Sequence, residues 1–131
     1  PMGEFNKRND KQSVQVEGQD VFGSQEVPLV VLVGENTSGT PEILAASLQA
    51  HDRATVIGEK TPGTIEGATS FYLPDGSELF IETTSFVLPN GDEVGTQGVT
   101  PDILVEAGWD EVQPDADPVL DQAVEHLDGQ Q

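Results

Sequence analysis

The strongest constraint on the fold is a short run of mostly β-branched residues, VPLVVLV at 27–33, which a turn and a helix pattern follow. A nearly continuous apolar run of this length is typical of a strand that is buried on both faces of a parallel sheet. A second short apolar run, ATVIGE at 54–59, comes after the helix pattern. Strand, helix and strand in this order predict a βαβ unit with a right-handed crossover.

The segment between the two runs, TPEILAASLQAHD, carries the signals of a helix start. Thr40 is predicted as the N-cap, Pro41 suits the first helical position, and Glu42 complements the positive end of the helix dipole. A stripe at helical spacing is expected to face the core. Its members are Ile43, Leu44, Ser47 and Leu48.

The rest of the chain predicts hairpins and a last helix. Turn signals at 74–76 (PDG) and 89–91 (PNG) each interrupt apolar runs, which indicates two hairpins. GVTPDILV at 98–105 is expected to return as a strand. The segment 117–127 predicts a C-terminal helix that Asp117 caps and that Pro118 begins. The predicted fold class is α/β, with a βαβ unit, hairpins and a C-terminal helix.

One domain is expected, with short ends outside it. Residues 1–12, which begin PMGEF, are polar and patternless, and they are interpreted as a tag remnant and a disordered tail. Residues 13–128 are expected to form the domain, which is long enough for one hydrophobic core. Residues 129–131 are expected to be a short tail.

The composition excludes several partners and cofactors. The chain has 24 acidic and five basic residues, so no basic patch is expected to bind nucleic acid. No run approaches the ~18 apolar residues of a membrane span, and membrane insertion is not expected. Cysteine is absent, which excludes thiolate metal sites and cysteine catalysis. The acidic clusters do not match a calcium loop, so no metal site is predicted.

Four ordered segments together resemble one family, the carboxyl-terminal processing peptidases, or tail-specific proteases. The segments are PLVVLVGENTSGTPEILAASLQAHDRATVIGEKTPG, LPDGSELFI, GVTPDILV and DPVLDQAVEHL. The resemblance implies the C-terminal part of a ClpP/crotonase-like core, a serine peptidase that acts on polypeptides near their C-termini. It also implies that no metal or organic cofactor is used, and that the protein lies outside the cytoplasm, as a periplasmic, secreted or cell-envelope protein.

The resemblance places the catalytic positions as well. In the family, the nucleophilic serine lies three residues before the glutamate that corresponds to Glu42. In this chain that position is Gly39. The family's lysine lies at Thr64 and its supporting glutamine at Ala68. Glycine carries no nucleophile, and threonine cannot take the serine proton near neutral pH. The resemblance therefore implies a peptidase homologue that is inactive in this chain.

Two interpretations remain open. A one-residue shift would present Ser38 as the nucleophile, although a turn serine normally bonds to nearby backbone. Lys60, His51 and His126 are the remaining candidate bases, and each is interpreted as solvated or structural. The alternative is a non-catalytic peptide-binding or assembly module, a pseudopeptidase on the same scaffold.

The resemblance also implies partners. A polypeptide substrate or a peptide ligand is expected. The family's peptidase domain begins further upstream, and a sheet that lacks its N-terminal half has an open edge. Self-association, or pairing with the missing N-terminal half, is therefore expected.

Overall fold

The computed structural model of the chain describes residues 1–65, 67–108, 111–113 and 116–129. Its strands are β1 (Gly3–Lys7), β2 (Asp10–Val14), β3 (Val30–Val33), β4 (Thr55–Gly58), β5 (Gly67–Tyr72), β6 (Glu78–Val87) and β7 (Ile103–Leu104). Its helices are α1 (Thr40–Ala50) and α2 (Pro118–Asp128), and a 3₁₀ turn covers Gly95–Gln97. Residues 130 and 131, the end of the expected tail, lie outside the described residues.

A parallel sheet in the order β3-β4-β7 lies at the centre of the fold. β3 and β4 pair in parallel, with Val31 opposite Val56 and Leu32 opposite Ile57, and α1 connects them. The predicted βαβ unit is therefore confirmed. β7 extends the sheet in parallel on the other side of β4, with Ile103 opposite Ile57.

Helices cover both faces of this sheet. Val56 and Ile57 are fully buried although neighbouring strand residues point to opposite faces. Val56 belongs to the main core together with Ala45 of α1. On the other face, the imidazole of His126 in α2 contacts the Thr55 hydroxyl at 3.0 Å. The centre of the sheet is therefore dry on both sides.

A second, antiparallel sheet in the order β2-β1-β6-β5 packs against the same core. Phe86 of β6 is fully buried, and its ring meets that of Phe5 edge-on with centroids 4.9 Å apart. The Ser47 hydroxyl on α1 donates to the Met2 carbonyl oxygen at 2.8 Å. Helix α1 therefore joins the two sheets.

The interpretation of residues 1–12 as a disordered tail is wrong. These residues contain β1 and most of β2, which pair in register from Gly3 opposite Val14 to Lys7 opposite Asp10. β1 also pairs with β6, which follows about eighty residues later in the chain. Because the order of this segment comes from a strand so distant in sequence, its own polar pattern could not indicate it.

Three details of the βαβ unit differ from expectation. β3 covers only Val30–Val33, and Leu32 is 43% exposed because β3 is the edge strand of its sheet. The N-cap of α1 is Gly39 rather than Thr40. Leu44 is about half exposed, whereas Ala45 and Ala46 are buried. A helix that packs closely between two sheets buries its small residues.

The two predicted hairpins and the last helix have different outcomes. β5 and β6 form the first hairpin in full. The second hairpin, around the turn at 89–91, is short: one bridge joins Val87 to Glu93. Beside that bridge, the Leu88 amide donates to the Asp92 carbonyl oxygen and the Val94 amide to the Phe86 carbonyl oxygen. The cap of α2 is confirmed, since the Asp117 carboxylate accepts from the Val119 and Leu120 amides. Neither helix in the described part of the chain is long and apolar enough to cross a membrane.

Candidate functional site

The turn between β3 and α1 has an unusual backbone at its last residue. Gly39 has φ 72° and ψ −127°, a conformation that residues with a side chain rarely adopt. The start of the turn is closed locally: the Thr37 hydroxyl accepts from the Gly34 amide at 3.0 Å, and the Thr37 amide donates to the Gly34 carbonyl oxygen. A tight strand-to-helix turn of this kind presents its apex at the positive end of the helix.

The Glu42 carboxylate, in the first turn of α1, lies at the centre of the site and is fully buried. Its Oε2 accepts from the backbone amide of Gly39 at 2.8 Å. The same oxygen accepts from the backbone amide of Thr64 at 3.0 Å and from the Thr64 hydroxyl at 3.1 Å. Gly39 and Thr64 are therefore both held by one carboxylate oxygen.

The second oxygen of Glu42 binds the loop that follows β4. Oε1 accepts from the Thr61 hydroxyl at 2.5 Å and from the Gly63 amide at 2.8 Å. The Thr61 hydroxyl oxygen in turn accepts from the Val99 amide at 2.8 Å. A single buried carboxylate thus connects the β3–α1 turn, the loop after β4 and the segment that leads to β7.

The pKa of the Glu42 carboxyl lies below its ordinary value. Burial raises this pKa, but the hydrogen bonds that Thr61, Gly63, Gly39 and Thr64 donate to the carboxylate together outweigh that effect. Hydrogen bonds to the charged form stabilise it. Glu42 is therefore ionised at neutral pH and accepts hydrogen bonds without donating any.

This pKa direction gives a pH prediction. Because the folded-state pKa is lowered from 4.5, the stability contributed by ionised Glu42 is fully present above that value and is lost as the pH falls through the folded-state pKa. Glu42→Gln removes the titrating group, so we expect the free energy of unfolding to differ most between the two proteins at pH 7. We expect the difference to shrink at about pH 3. Urea unfolding at both pH values measures it, and a difference that stays constant would contradict the prediction.

The structure brings two of the four predicted site residues together at this carboxylate and leaves two outside. Gly39 and Thr64 both bond to Glu42. Ala68 lies on β5, exposed and opposite Glu82, beside a β-bulge at Gly67 and Ala68. Ser38 is exposed in the turn directly before Gly39.

The candidate bases lie in different parts of the fold. Lys60 is exposed in the loop just before Thr61. His51 is the C-cap of α1, so the length of an eleven-residue helix, about 16 Å, separates it from the turn at Gly39. His126 lies in the last turn of α2 and contacts Thr55. The described residues contain no group of His, Asp and Glu side chains that could hold a metal ion.

Sequence reasoning missed Glu42 as the centre of the site. Glutamate three residues after an N-cap is one half of a capping box, and this signal was present. The other donors could not be found in this way, because Thr61, Gly63 and Thr64 reach the carboxylate only through the tertiary fold.

The known proteins that match the chain include several peptidases. The carboxyl-terminal-processing protease of Synechocystis sp. (strain ATCC 27184 / PCC 6803 / Kazusa) is 32% identical over 127 residues, which cover 95% of this chain and 29% of that protein. The carboxyl-terminal-processing peptidase 3, chloroplastic, of Arabidopsis thaliana is 37% identical over 83 residues, which cover 62% of this chain and 16% of that protein. The solved structure of the photosystem II D1 C-terminal processing protease matches with a TM-score of 0.53 and 34% identity, over 60% of this chain and 20% of that one.

A family model settles the relationship. The model of peptidase family S41 matches residues 2–105, and the chain belongs to this family. The resemblance to carboxyl-terminal processing peptidases is thereby confirmed. The match begins at residue 2, so β1 and β2 fall within the region that the family shares. The chain spans less than a third of the length of the relatives described above.

Proposed function

We propose that this chain is part of a peptidase-S41 protein that binds polypeptides near their C-termini without hydrolysing them at this site. One observation carries the proposal: the expected nucleophile and base positions are Gly39 and Thr64, and one oxygen of Glu42 holds both. Neither residue supplies a nucleophile paired with a base. Ala68, at the third expected position, has only a methyl side chain. In this proposal the scaffold is a partial ClpP/crotonase-like core.

A cleft beside the β3–α1 turn supports polypeptide binding. Its volume is about 620 Å³, within the usual range for ligand sites. It lies where β3 and β4 end, and open α/β sheets bind ligands at the carboxyl ends of their strands. Its lining includes the turn residues from Gly34 to Thr37, the Glu59 carboxylate, and the side chains of Val112 and Val119.

The remaining expectations belong to the same proposal. We place the protein outside the cytoplasm, in the periplasm or cell envelope or as a secreted protein, and the support is its relationship to the carboxyl-terminal processing peptidases. We infer no cofactor and no nucleic-acid partner. Self-association, or pairing with an N-terminal half of the domain, is supported by the edge positions of β3 and β5 in their sheets.

A peptidase with a displaced nucleophile is the second candidate, and the position of Ser38 favours it. Ser38 is exposed and adjoins Gly39 at the positive end of α1, where a neighbouring helix dipole stabilises an oxyanion. Lys60 is exposed in the loop that precedes Thr64. In this interpretation a shift of the turn would bring Ser38 to the reacting position.

Cleavage of an unfolded polypeptide separates the two candidates. The natural full-length protein and its Ser38→Ala variant are each incubated with the polypeptide, and products are followed by mass spectrometry. We expect neither protein to produce fragments, because no nucleophile and base are paired at the site. The Synechocystis protease serves as the positive control. Cleavage by the natural protein that Ser38→Ala abolishes would overturn the proposal and identify Ser38 as the nucleophile.

A further inference from the structure

The outer part of the β5–β6 hairpin, residues 69–81, exposes an apolar surface that the Glu42 site does not use. We call this region the hairpin tip. Tyr72 is 79% exposed and Phe80 is 65% exposed, values that are high for aromatic side chains. Four more large apolar residues of the tip are about half exposed: Phe71, Leu73, Leu79 and Ile81. Exposed apolar side chains that cluster in this way are typical of an interaction site.

Hydrogen bonds fix the conformation of the hairpin tip. The Leu73 amide donates to the Ser77 carbonyl oxygen at 2.8 Å across the turn. The Asp75 carboxylate accepts from the amide and from the hydroxyl of Ser77. Between the turn and the bulge, the hydroxyls of Thr69 and Thr83 are 2.7 Å apart. The exposed side chains therefore stand on a well-defined strand pair.

Both faces of the hairpin tip carry large apolar side chains. Phe71 pairs with Leu79, and these two side chains lie on one face. Phe80 and Tyr72, at alternate positions, lie on the other. β5 is also the edge strand of its sheet, so every second residue directs its backbone groups away from β6. A strand that paired with this edge would have apolar side chains of the hairpin tip beside it on both faces of the sheet.

The charged side chains of the β5–β6 hairpin are all acidic. In the same sheet, Lys7 lies opposite Thr84, but on β1, which is on the side of β6 away from β5. Asp75 lies in the turn, and Glu78 and Glu82 lie on β6. The sequence contains no lysine or arginine after Lys60. Charge complementarity therefore favours a partner with basic residues and disfavours an anionic membrane surface.

We propose that the free edge of β5 binds an extended, apolar polypeptide segment flanked by lysine or arginine, which adds to the sheet as a further strand. Peptide recognition by strand addition takes its affinity from main-chain hydrogen bonds and its specificity from alternating side chains. The inference rests on the proposed function and names the class of polypeptide for it. β5 begins three residues after Thr64, so the added strand lies along the element that leads away from the Glu42 site.

Fluorescence anisotropy with designed peptides tests the inference on the 131-residue chain. The probe has six central residues, all apolar, to match the six-residue length of β5, and lysines at both ends. A second peptide carries serine at every second central position, a third carries glutamate at its ends, and a fourth has N-methylated central amides. We expect each change to weaken binding by about tenfold or more, because each removes one element of the recognition.

Variants of the chain locate the binding surface. Phe71→Ser and Phe80→Ser each alter one face of the hairpin tip, and both side chains are exposed, so folding should be retained. We expect each to weaken binding of the apolar probe by about fivefold to tenfold. Phe22→Ser is the matched control, since Phe22 is 104% exposed in a loop elsewhere, and it should leave binding unchanged.

The outcomes distinguish this inference from the proposed function. Probe binding that neither tip variant weakens would overturn the inference while leaving a polypeptide-binding role intact. If no probe bound, both the inference and the polypeptide-binding role would be overturned. Dimers in sedimentation experiments that the tip variants abolish, without probe binding, would show that the surface binds a second copy of the chain, and would overturn the inference too.

Discussion

Replacing Glu42 by alanine is expected to lower the free energy of unfolding by about 4 kcal/mol. The substitution leaves the amides of Gly39, Gly63 and Thr64 and the hydroxyls of Thr61 and Thr64 without the acceptor that they share. A buried donor without a partner costs about 1–3 kcal/mol, and these costs do not add fully because the loop can relax towards water. Urea unfolding measures the effect.

Asp121→Ala provides the matched control for Glu42→Ala. Asp121 also lies in the first turn of a helix, but it is exposed, so its interaction with the helix dipole is worth less than about 1 kcal/mol. If the two variants lost similar stability, Glu42 would act only through the helix dipole, and its role in joining the turn and the loop would be disproved. We expect Glu42→Gln to lower the free energy of unfolding by about 2 kcal/mol, less than Glu42→Ala and more than Asp121→Ala, because the amide keeps one acceptor oxygen.

Those parts of the fold that local sequence determines could be predicted. The β-branched run that contains β3 and the pattern from Pro41 onward specify the βαβ unit without help from distant residues. The PDG turn specifies the β5–β6 hairpin, and Asp117 with Pro118 specifies the start of α2. In the hairpin turn and at the start of α2, Asp75 and Asp117 carry the signal and also accept the local hydrogen bonds.

The parts that were missed depend on distant partners. β1 and β2 are polar. Their order comes from the pairing of β1 with β6, from the pairing of β2 with β1, and from the contact of the Phe5 and Phe86 rings. The exposure of Leu32 and Leu44 depends on which side of each element the rest of the fold covers, which periodicity alone cannot show. The PNG turn was predicted correctly, but the hairpin that it closes is short, because its arms pair only next to the turn.

The candidate site divides in the same way. Gly39 and Thr64 were found because a family resemblance fixes their spacing in the chain. Their shared partner Glu42 was not found, because one carboxylate binds five groups from two distant segments only when β4 and α1 are packed together. Sequence distance gives no sign of such an arrangement.

Gly98→Ala is expected to destabilise the chain by about 4 kcal/mol, although the substitution adds only a methyl group. Gly98 has φ 68°, and a Cβ there would overlap the carbonyl oxygen of Thr61. The left-handed conformation costs a residue with a side chain about 1–2 kcal/mol, and overpacking against fixed backbone adds about 1–3 kcal/mol. Gly76→Ala is the control, because Gly76 has φ 85° and open space around it. It should cost only the conformational part, and equal losses in thermal or urea unfolding would contradict close packing at Gly98.

The double variant Gly98→Ala with Glu42→Gln tests whether the two positions support the same loop. The Thr61 backbone lies against Gly98, and the Thr61 hydroxyl donates to Glu42. If the methyl group of Gly98→Ala displaces Thr61, the hydrogen bond to Glu42 is already weakened before the carboxylate is changed. The losses in unfolding free energy of the two single variants should then add up to about 1 kcal/mol more than the loss of the double variant. Gly76→Ala with Glu42→Gln should be additive, because the two residues share no partner. Additivity in both pairs would mean that the loop holds Thr64 in place independently of the close approach at Gly98.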